Sequence, residues 1–294
     1  MDLLNHIPFG LRKEDQKYVD VADVPKGRAC ACICPSCHIP LIARKGTVNR
    51  WHFAHSGRKT EGPDNGCEYS FFVSVRAMAK QIVENEFRLS TPGCTGHVSE
   101  HRHGMLYTEP FSATKPGTVT LGNIQKECLF EETMVDICGE VNGFPLVIYF
   151  SHPDRSVPFA LEEPGNTRCG ILEIDLTWTR ALFLSKKATF DRFGDEIRTF
   201  IEGSNHAKKW IYHPRKLAAM SKARSRLEKQ MMNWVPPQQR KYVRKNPYVR
   251  FERGGNQHYE CLICKTRWSG FENEKQVCPV CQLHLYVHRI VVVK

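Results

Sequence analysis

The sequence predicts a mixed α/β (α+β) protein, in which a sheet is flanked by helices and a cysteine-rich segment lies near each end. Three observations lead to this fold class. Four apolar, strand-like runs lie close together between residues 118 and 176. Apolar residues at three- to four-residue spacing before and after these runs predict amphipathic helices. Cysteines in Cys-x₂-Cys spacing occur once near the start and twice near the end, which is typical of small metal sites.

The composition is that of a globular protein with a substantial core. The 294 residues are enough for one large domain or two modest ones, and 41% of them are hydrophobic, with 16 Phe and 5 Trp. No run of about 18 apolar residues is present, so we expect neither a transmembrane helix nor a membrane partner. The opening residues MDLLNHIPFGLRKEDQ lack the apolar centre of a signal peptide, so we expect a cytoplasmic location.

We predict four regions along the chain. They are an N-terminal Cys/His zinc-binding region at 1–60, a core at 61–205, a basic nucleic-acid-binding linker and helix at 206–254, and a C-terminal zinc ribbon at 255–294. Within the core, residues 68–89 are predicted to form a helix, 90–117 a loop, and 183–202 a second amphipathic helix.

The N-terminal region predicts a small zinc site. Two short strands, at 40–44 and 47–51, would bring a His-x₂-His pair back over a Cys-x₂-Cys knuckle. Thiolate and neutral imidazole ligands suit Zn²⁺. Cys30 or Cys32 could replace one histidine, and the histidines could instead pack or contact phosphate without metal. The candidate ligands are Cys34, Cys37, His52 and His55.

The C-terminal region predicts a zinc ribbon, in which two knuckles are separated by 13 residues. So small a core would not fold unaided, and metal binding would supply the folding energy. The ribbon could also contact a protein partner. Its candidate ligands are Cys261, Cys264, Cys278 and Cys281. We therefore expect one or two structural zinc ions. The remaining cysteines are predicted to be small buried hydrophobes; they are Cys67, Cys94, Cys128, Cys138 and Cys169.

The acids within the strand-like runs suggest a divalent-cation site. Asp136 ends one run, a turn at Asn142-Gly143 follows, and the next run continues to Phe150. Many metal-dependent nucleases hold Mg²⁺ with an Asp at a strand end and an acid on the next strand. Here that next strand is apolar, so Glu173 and Asp175, on one face of the following strand, become the candidates. The alternative is that both are solvated acids on an edge strand.

The positive charge of the chain is concentrated in one segment. Residues 206–253 contain 14 Lys and Arg against two acids, a net charge of +12 where the whole chain has +11. Such a concentration is expected of a phosphate-backbone contact, although a solvated linker is the alternative. Tyr242, Tyr248 and Phe251 lie among the cations and could stack on bases or dock on the core. The candidate contacts are Lys208, Lys209, Arg215, Lys216, Arg240, Lys241, Arg244 and Lys245.

The run Cys34-Pro35-Ser36-Cys37, followed by Trp51-His52-Phe53-Ala54-His55, resembles the competence protein CoiA family, and the similarity covers roughly residues 30–215. The resemblance implies a restriction-endonuclease-like, PD-(D/E)XK nuclease core between 61 and 205, with DNA as substrate and Mg²⁺ or Mn²⁺ as the catalytic ion. Asp136 matches the family's metal-binding Asp. Where the family has an acid, any residue and then Lys or Gln, this chain has Val147-Ile148-Tyr149.

Three functions therefore remain open. The first is a metal-dependent DNA endonuclease or exonuclease, in which Asp136, Glu173 and Asp175 bind metal and Glu127 or Glu68 positions a second ion or water. An alternative register pairs Asp154 with Glu173 and Asp175. The second is a catalytically degenerate nuclease fold that binds DNA or RNA through the basic segment and the ribbon. The third is a structural adaptor in a protein complex.

Overall fold

A computed structural model describes residues 6–57, 67, 69–185, 191–233, 255–272 and 274–290. The chain divides into two compact units, Met1–Trp234 and Val235–Lys294. The described part is mixed α+β with more strands than helices, so the predicted fold class is confirmed at this level. Its helices are α1 (Ser70–Ile82), α2 (Thr177–Ser185), α3 (Phe193–Gly203) and α4 (Lys216–Met232).

Strands run through both units and form five separate sheets among the described residues. The strands in chain order are β1 (Phe9–Arg12), β2 (Tyr18–Asp20), β3 (Cys32–Ile33), β4 (Leu41–Arg44), β5 (His52–His55), β6 (Phe87–Thr91), β7 (Cys94–Arg102), β8 (Met105–Thr114), β9 (Gly117–Phe130), β10 (Thr133–Val141), β11 (Phe144–Ser151), β12 (Gly170–Asp175), β13 (Lys208–Tyr212), β14 (Asn256–Cys261), β15 (Arg267–Phe271) and β16 (Val287–Ile290).

The centre of the first unit is a six-stranded sheet in the order β13-β12-β11-β10-β9-β6. The pair β11–β12 is parallel and the other pairs are antiparallel. Strand β11 is buried from Leu146 to Ser151, which is typical of a central strand covered on both faces. On one face, the apolar stripe of α1 and the side chains of α3 pack against Ile137, Ile148 and Leu172. On the other face, Leu161 packs against Tyr149 and its neighbours.

The N-terminal region consists of the sheet β2-β1-β3 and the hairpin β4–β5, which enclose the buried ring of Phe53. Arg50 joins this region to the helices of the core. Its guanidinium donates hydrogen bonds to the carbonyl of Phe183 and to Glu196, at 3.2 and 2.5 Å, and lies over the rings of Phe183 and Phe193. A buried guanidinium with these partners fixes the N-terminal region against α2 and α3.

Residues 94–114 form a hairpin, β7–β8, so the predicted loop over 90–117 is wrong. Most side chains of the two strands are exposed, and the alternation of apolar and polar residues that signals a strand is therefore weak. The few buried ones, including Val98 and Phe111, lie beneath Ala223 and Leu227 of α4. The hairpin and α4 thus share a small core of their own.

The boundaries of other predicted helices and strands also differ from those in the structure. The helix predicted over 68–89 ends at Ile82, and Phe87–Thr91 is a strand; the segment predicted as one helix over 183–202 contains the end of α2 and the start of α3. The strand predicted over 47–51 lies instead at His52–His55. The apolar run that contains Asp136, residues 127–141, is divided between two strands. Glu131 and Glu132 adopt positive φ values of 46° and 65°, which reverse the chain between β9 and β10.

The second unit contains the three-stranded sheet β15-β14-β16. Tyr259, Cys261 and Cys278 are its buried apolar residues among those described, and this core is very small. Within the described ranges of either unit, no helix has the length and apolarity that crossing a bilayer requires.

Candidate metal sites and nucleic-acid interface

The first candidate metal site lies in the N-terminal region, where four ligand atoms come within 4.8 Å of one another. The Sγ atoms of Cys34 and Cys67 are 3.4 Å apart, and Nε2 of His55 is 3.3 Å from Sγ of Cys37 and 3.4 Å from Sγ of Cys67. These separations are close to the edges of a tetrahedron with bonds of about 2.3 Å to sulfur and 2.0 Å to nitrogen. The group could therefore hold a zinc ion.

The fourth ligand differs from the one that the sequence suggested. Cys67, predicted to be an ordinary buried cysteine, occupies the position expected for His52. The ring of His52 lies elsewhere: its Nδ1 is 2.8 Å from the carbonyl oxygen of Arg50, and the ring packs against that of His6 with 3.8 Å between centroids. Because Cys67 lies three residues before α1, the site ties the N-terminal region to the first helix of the core.

The two alternative cysteines do not join this group. The thiol of Cys30 donates to the carbonyl of Leu41 at 3.3 Å, and the thiol of Cys32 donates to the carbonyl of Cys30 at 3.1 Å. Burial raises the pKa of Cys32 to about 12. By contrast, the hydrogen bond from Cys34 lowers the pKa of Cys67 to about 3, while the same bond is the largest cause that raises the pKa of Cys34. A thiol pair that shares one proton in this way would lose that proton to solvent when both sulfurs bind a cation.

The second candidate site consists of four cysteines in the second unit whose Sγ atoms also lie within 4.8 Å of one another. The Sγ atoms of Cys264 and Cys278 are 3.5 Å apart. The hydroxyl of Thr266 is the largest cause that lowers the pKa of Cys264, to about 6. The group, Cys261, Cys264, Cys278 and Cys281, is the set that the sequence suggested and could hold zinc.

All three Cys-x₂-Cys segments share one backbone geometry. The residue after the second cysteine has a positive φ in each: 58° at His38, 59° at Lys265 and 59° at Gln282. Its N–H donates to the carbonyl of the first cysteine, and the N–H of that first cysteine pairs with the carbonyl five residues on. The N-terminal knuckle, which begins at Cys34, therefore has the same backbone hydrogen bonds as the two knuckles of the second unit.

Asp136, the first candidate for a divalent cation, lies where the pairing of β10 and β11 ends at Ile137↔Ile148. Its carboxylate is fully buried, with 0% of the side chain exposed. Oδ1 accepts a hydrogen bond from Nε of Arg76 at 2.6 Å; Oδ2 accepts from Arg155 and from the backbone N–H of Phe150, both at 2.8 Å. Arg155 also donates to the carbonyls of Phe150 and Met134, so the pair fills the gap between the strands.

This arrangement does not fit Mg²⁺ or Mn²⁺. A divalent cation needs open carboxylate oxygens, and both oxygens of Asp136 are occupied by two guanidinium groups that would repel it. The expected catalytic ion at Asp136 is therefore not supported, and we derive no chemical step through it. Burial lowers the pKa of Arg155, yet the guanidinium keeps its ion pair with Asp136.

The other candidate acids have separate partners. Glu173 is half-buried on β12 and accepts a hydrogen bond from the hydroxyl of Ser151 at 2.6 Å. Asp175 accepts from the backbone N–H of Thr177, the first residue of α2, at 2.9 Å. Glu127 pairs with Lys80 and is 62% exposed, and Asp154 lies in an exposed turn after β11. Glu68 lies outside the described residues. Among the described residues, these acids do not form a group of three ligands.

The candidate nucleic-acid contacts divide into three sets. Lys208 is buried, and its ammonium donates to Ser90 Oγ and O, so it does not reach a surface phosphate; burial lowers its pKa to about 8. Lys209 and Arg215 are exposed, and Lys216 is half-buried at the start of α4. The cations that lie outside the described residues are Arg240, Lys241, Arg244 and Lys245.

Helix α4 adds cations that the sequence analysis left unassigned. Lys222, Arg224 and Lys229 are exposed and form no ion pair with any described residue, whereas Arg226 pairs with Glu109 at 2.5 Å. The opposite side of the helix is buried against the hairpin β7–β8. By helical periodicity, Lys222 and Lys229 lie on the face turned away from the hairpin, whereas Arg224 is exposed at the flank of the buried side.

Sequence reasoning missed Cys67, Arg76 and Arg155. Cys67 carries a usable signal, because it stands alone between a turn-rich loop and an amphipathic helix, twelve residues after His55. Arg76 falls outside the apolar stripe of α1 and looks like any solvated cation. Arg155 follows a turn and gives no signal, because only the folded chain brings it to Asp136.

Comparison with known proteins finds one family. Residues 20–60 match the model of the N-terminal domain of the competence protein CoiA. The matched segment contains the first knuckle and His55 but ends before Cys67. Neither the comparison with curated proteins nor the comparison with solved structures returns a significant match.

Proposed function

We propose that this chain is a competence-related protein that binds nucleic acid, with DNA as the expected partner, and that its restriction-endonuclease-like core does not cut through a metal ion at Asp136. The single observation that carries the binding proposal is the exposed, positively charged surface of α4. Lys222, Arg224 and Lys229 are exposed there without carboxylate partners among the described residues. They belong to the segment that holds the net positive charge of the chain.

The position of α4 supports this role. Its inner side chains, Ala223, Leu227 and Met231, are buried against β7 and β8, so the helix is packed and not a solvated linker. Cations on a fixed helix pay little ordering entropy when they meet a phosphate backbone. Lys209 and Arg215, both exposed, lie just before the helix and extend the same charge toward the end of the central sheet.

The proposal that the core is catalytically degenerate rests on the two arginines at Asp136. Arg76 and Arg155 supply positive charge where the family resemblance implies a cation. A nuclease with a different metal centre, built around Glu173, is the competing function. It is distinguished by cleavage, because a protein that only binds leaves DNA intact at any concentration of Mn²⁺.

The test of binding compares two triple charge reversals of equal net charge. Lys222→Glu, Arg224→Glu and Lys229→Glu alter α4, whereas Lys13→Glu, Lys17→Glu and Lys26→Glu alter exposed positions of the N-terminal region. For duplex DNA we expect the α4 variant to lower the slope of log K against log[salt] by about two to three, and the control to leave it nearly unchanged. Equal slopes in both variants and the wild type would remove α4 as the interface.

The test of catalysis uses the zinc-loaded protein with single- and double-stranded DNA in Mn²⁺ and in Mg²⁺. We expect retarded but intact DNA. Glu173→Gln is the matched variant, because Glu173 is half-buried at the sheet surface and its amide keeps the hydrogen bond from Ser151. Metal-dependent cutting by the wild type that Glu173→Gln abolishes would establish the competing nuclease.

A further inference from the structure

A cavity of about 680 Å³ opens at the end of the central sheet, where β11 and β12 begin and where β6 and β13 end. Its wall includes Phe144, Leu146, Gly170, Trp210 and Arg215. Strand β11 runs from this cavity toward Phe150, so the cavity lies at the opposite end of the strand from Asp136. Its volume and largely apolar lining suit a small organic group.

Two aromatic rings shape the cavity. Phe144 is 55% exposed directly after the turn at Asn142-Gly143, so its ring is open to a ligand in the cavity. The indole of Trp210 is fixed by a hydrogen bond of 2.8 Å from its Nε1 to the carbonyl of Pro92. Its ring lies close over Gly170, where an added Cβ would stand only 3.2 Å from the ring.

The charges at the cavity favour an anionic ligand. Arg168 and Arg215 both line it, both are exposed, and neither guanidinium forms an ion pair within the described part of the chain. No Asp or Glu is among the described lining residues. The other two cavities of similar size differ, since Glu84 and Glu202 line one and Asp191 and Asp195 line the other.

Arg215 also connects the cavity to the proposed interface, because it directly precedes Lys216, the first residue of α4. A ligand that suits this cavity has a flat ring for the aromatic side chains and a negative charge for the two guanidiniums. A nucleotide of a single strand has both. Double-stranded DNA keeps its bases stacked inside the helix and can offer one only after that base is unpaired and flipped out, which costs a few kcal/mol.

We propose that this cavity receives one unstacked base of single-stranded nucleic acid, with the adjacent phosphates on Arg168 and Arg215. The inference rests on the proposed function and adds to it a preference for single strands. Phe144 stacks on the base, Trp210 forms the fixed wall, and the strand continues from Arg215 along α4. The cations of α4 bind phosphates of either a single strand or a duplex, whereas the cavity favours a single strand, whose bases are already unpaired.

The test compares Phe144→Ala with Phe159→Ala, because both rings are exposed, by 55% and 72%, and only Phe144 lines the cavity. The ligands are a 5′-phosphorylated thymidine tetranucleotide and a duplex. We expect Phe144→Ala to weaken tetranucleotide binding by about fivefold or more, as loss of one stacked base does. We expect no change in duplex binding, and no change of either affinity in Phe159→Ala.

A second readout separates this inference from the proposed function. The indole N–H resonance of Trp210, assigned with Trp210→Phe, is followed during titration with thymidine 5′-monophosphate. A shift that Arg168→Gln diminishes supports the cavity even if charge reversal on α4 leaves duplex binding unchanged. An unshifted resonance, or equal tetranucleotide affinity in Phe144→Ala and Phe159→Ala, overturns the cavity while the α4 interface stands on its own measurement.

Discussion

Asp136 has a buried carboxylate that forms two ion pairs and also accepts a hydrogen bond from the backbone of the neighbouring strand. Its carboxylate replaces backbone pairing at Phe150 and balances the guanidiniums of Arg76 and Arg155. A buried ion pair of this kind contributes little net stability as a whole, because desolvation offsets most of the attraction. Removing one partner is a different matter, since it leaves uncompensated charge inside the protein.

We therefore expect Asp136→Ala to lower the free energy of unfolding by about 3–5 kcal/mol, as loss of one partner of a buried pair does. The matched change is Glu127→Ala, which removes an exposed carboxylate from its pair with Lys80 and should cost about 0–1 kcal/mol. Urea denaturation at neutral pH measures both. If Asp136→Ala unfolds no more easily than Glu127→Ala, Asp136 is not a structural residue.

Cys67 is the second residue that the fold defines. We expect Cys67→Ser to remove one zinc ion per chain and to lower the melting temperature, because Cys67 completes the tetrahedral group and links it to α1. Cys94→Ser is the control, since Cys94 is buried but has no partner in either metal group. Zinc content by atomic emission and thermal denaturation check the prediction. Unchanged zinc in Cys67→Ser would mean that the first site is not a zinc site.

Residues such as these mark the limit of prediction from the sequence. A Cys-x₂-Cys pair is local in the sequence and is therefore easy to recognise. The structure groups eight candidate cysteine and histidine ligands, and the sequence predicts all of them except Cys67. The fourth ligand of the first site depends on where α1 begins relative to β5, which is a tertiary relation. The arginines at Asp136 depend on the same kind of relation, so a metal was the natural expectation for a lone acid at the end of a strand.

At the scale of elements, sequence periodicity misses the hairpin β7–β8, although it predicts a helix in the basic segment where α4 lies. Apolar runs predict strands in the region of β9 to β12, although one run spans the turn between β9 and β10, because the apolar faces of these strands are buried in the main core. The hairpin has only a few buried side chains, and these are buried by α4, more than a hundred residues away in sequence. Its strands therefore lack the periodic signal that long-buried strands have.

The attachment of α4 to the hairpin can be tested by substituting two leucines of this helix, one buried and one exposed. We expect Leu227→Ala to destabilise the protein by about 2–5 kcal/mol or to release α4 locally, because Leu227 is buried in one cluster with Val98 and Phe111. Leu217→Ala is the control, since Leu217 is 62% exposed and should change stability by about 0.5 kcal/mol or less. Urea denaturation and amide exchange along α4 measure the two effects. Equal amide exchange in both variants would contradict packing of α4 on the hairpin.

At the scale of the whole molecule, the two units differ in what holds each one together. The first unit has a large apolar core in addition to its metal group. The second has three buried apolar residues among those described, two of which are candidate metal ligands. Structural zinc supplies about 10–16 kcal/mol to small folds of this kind, which is more than their apolar cores provide. The second unit should therefore depend on its metal far more than the first.

We accordingly expect Cys278→Ser to remove one zinc ion per chain and to abolish amide protection in β14, β15 and β16, while β10, β11 and β12 keep theirs. The physical reason is that a ribbon with three thiolates cannot close its tetrahedron, and its small core cannot replace the lost binding energy. Hydrogen exchange read by mass spectrometry gives both results in one experiment.

Cys169→Ser, a buried cysteine outside both metal groups, is the matched control and should leave exchange in the ribbon unchanged. Persistent protection of β14 in Cys278→Ser would show that the ribbon folds without its metal, whereas loss of protection in β11 as well would show that the central sheet depends on the ribbon.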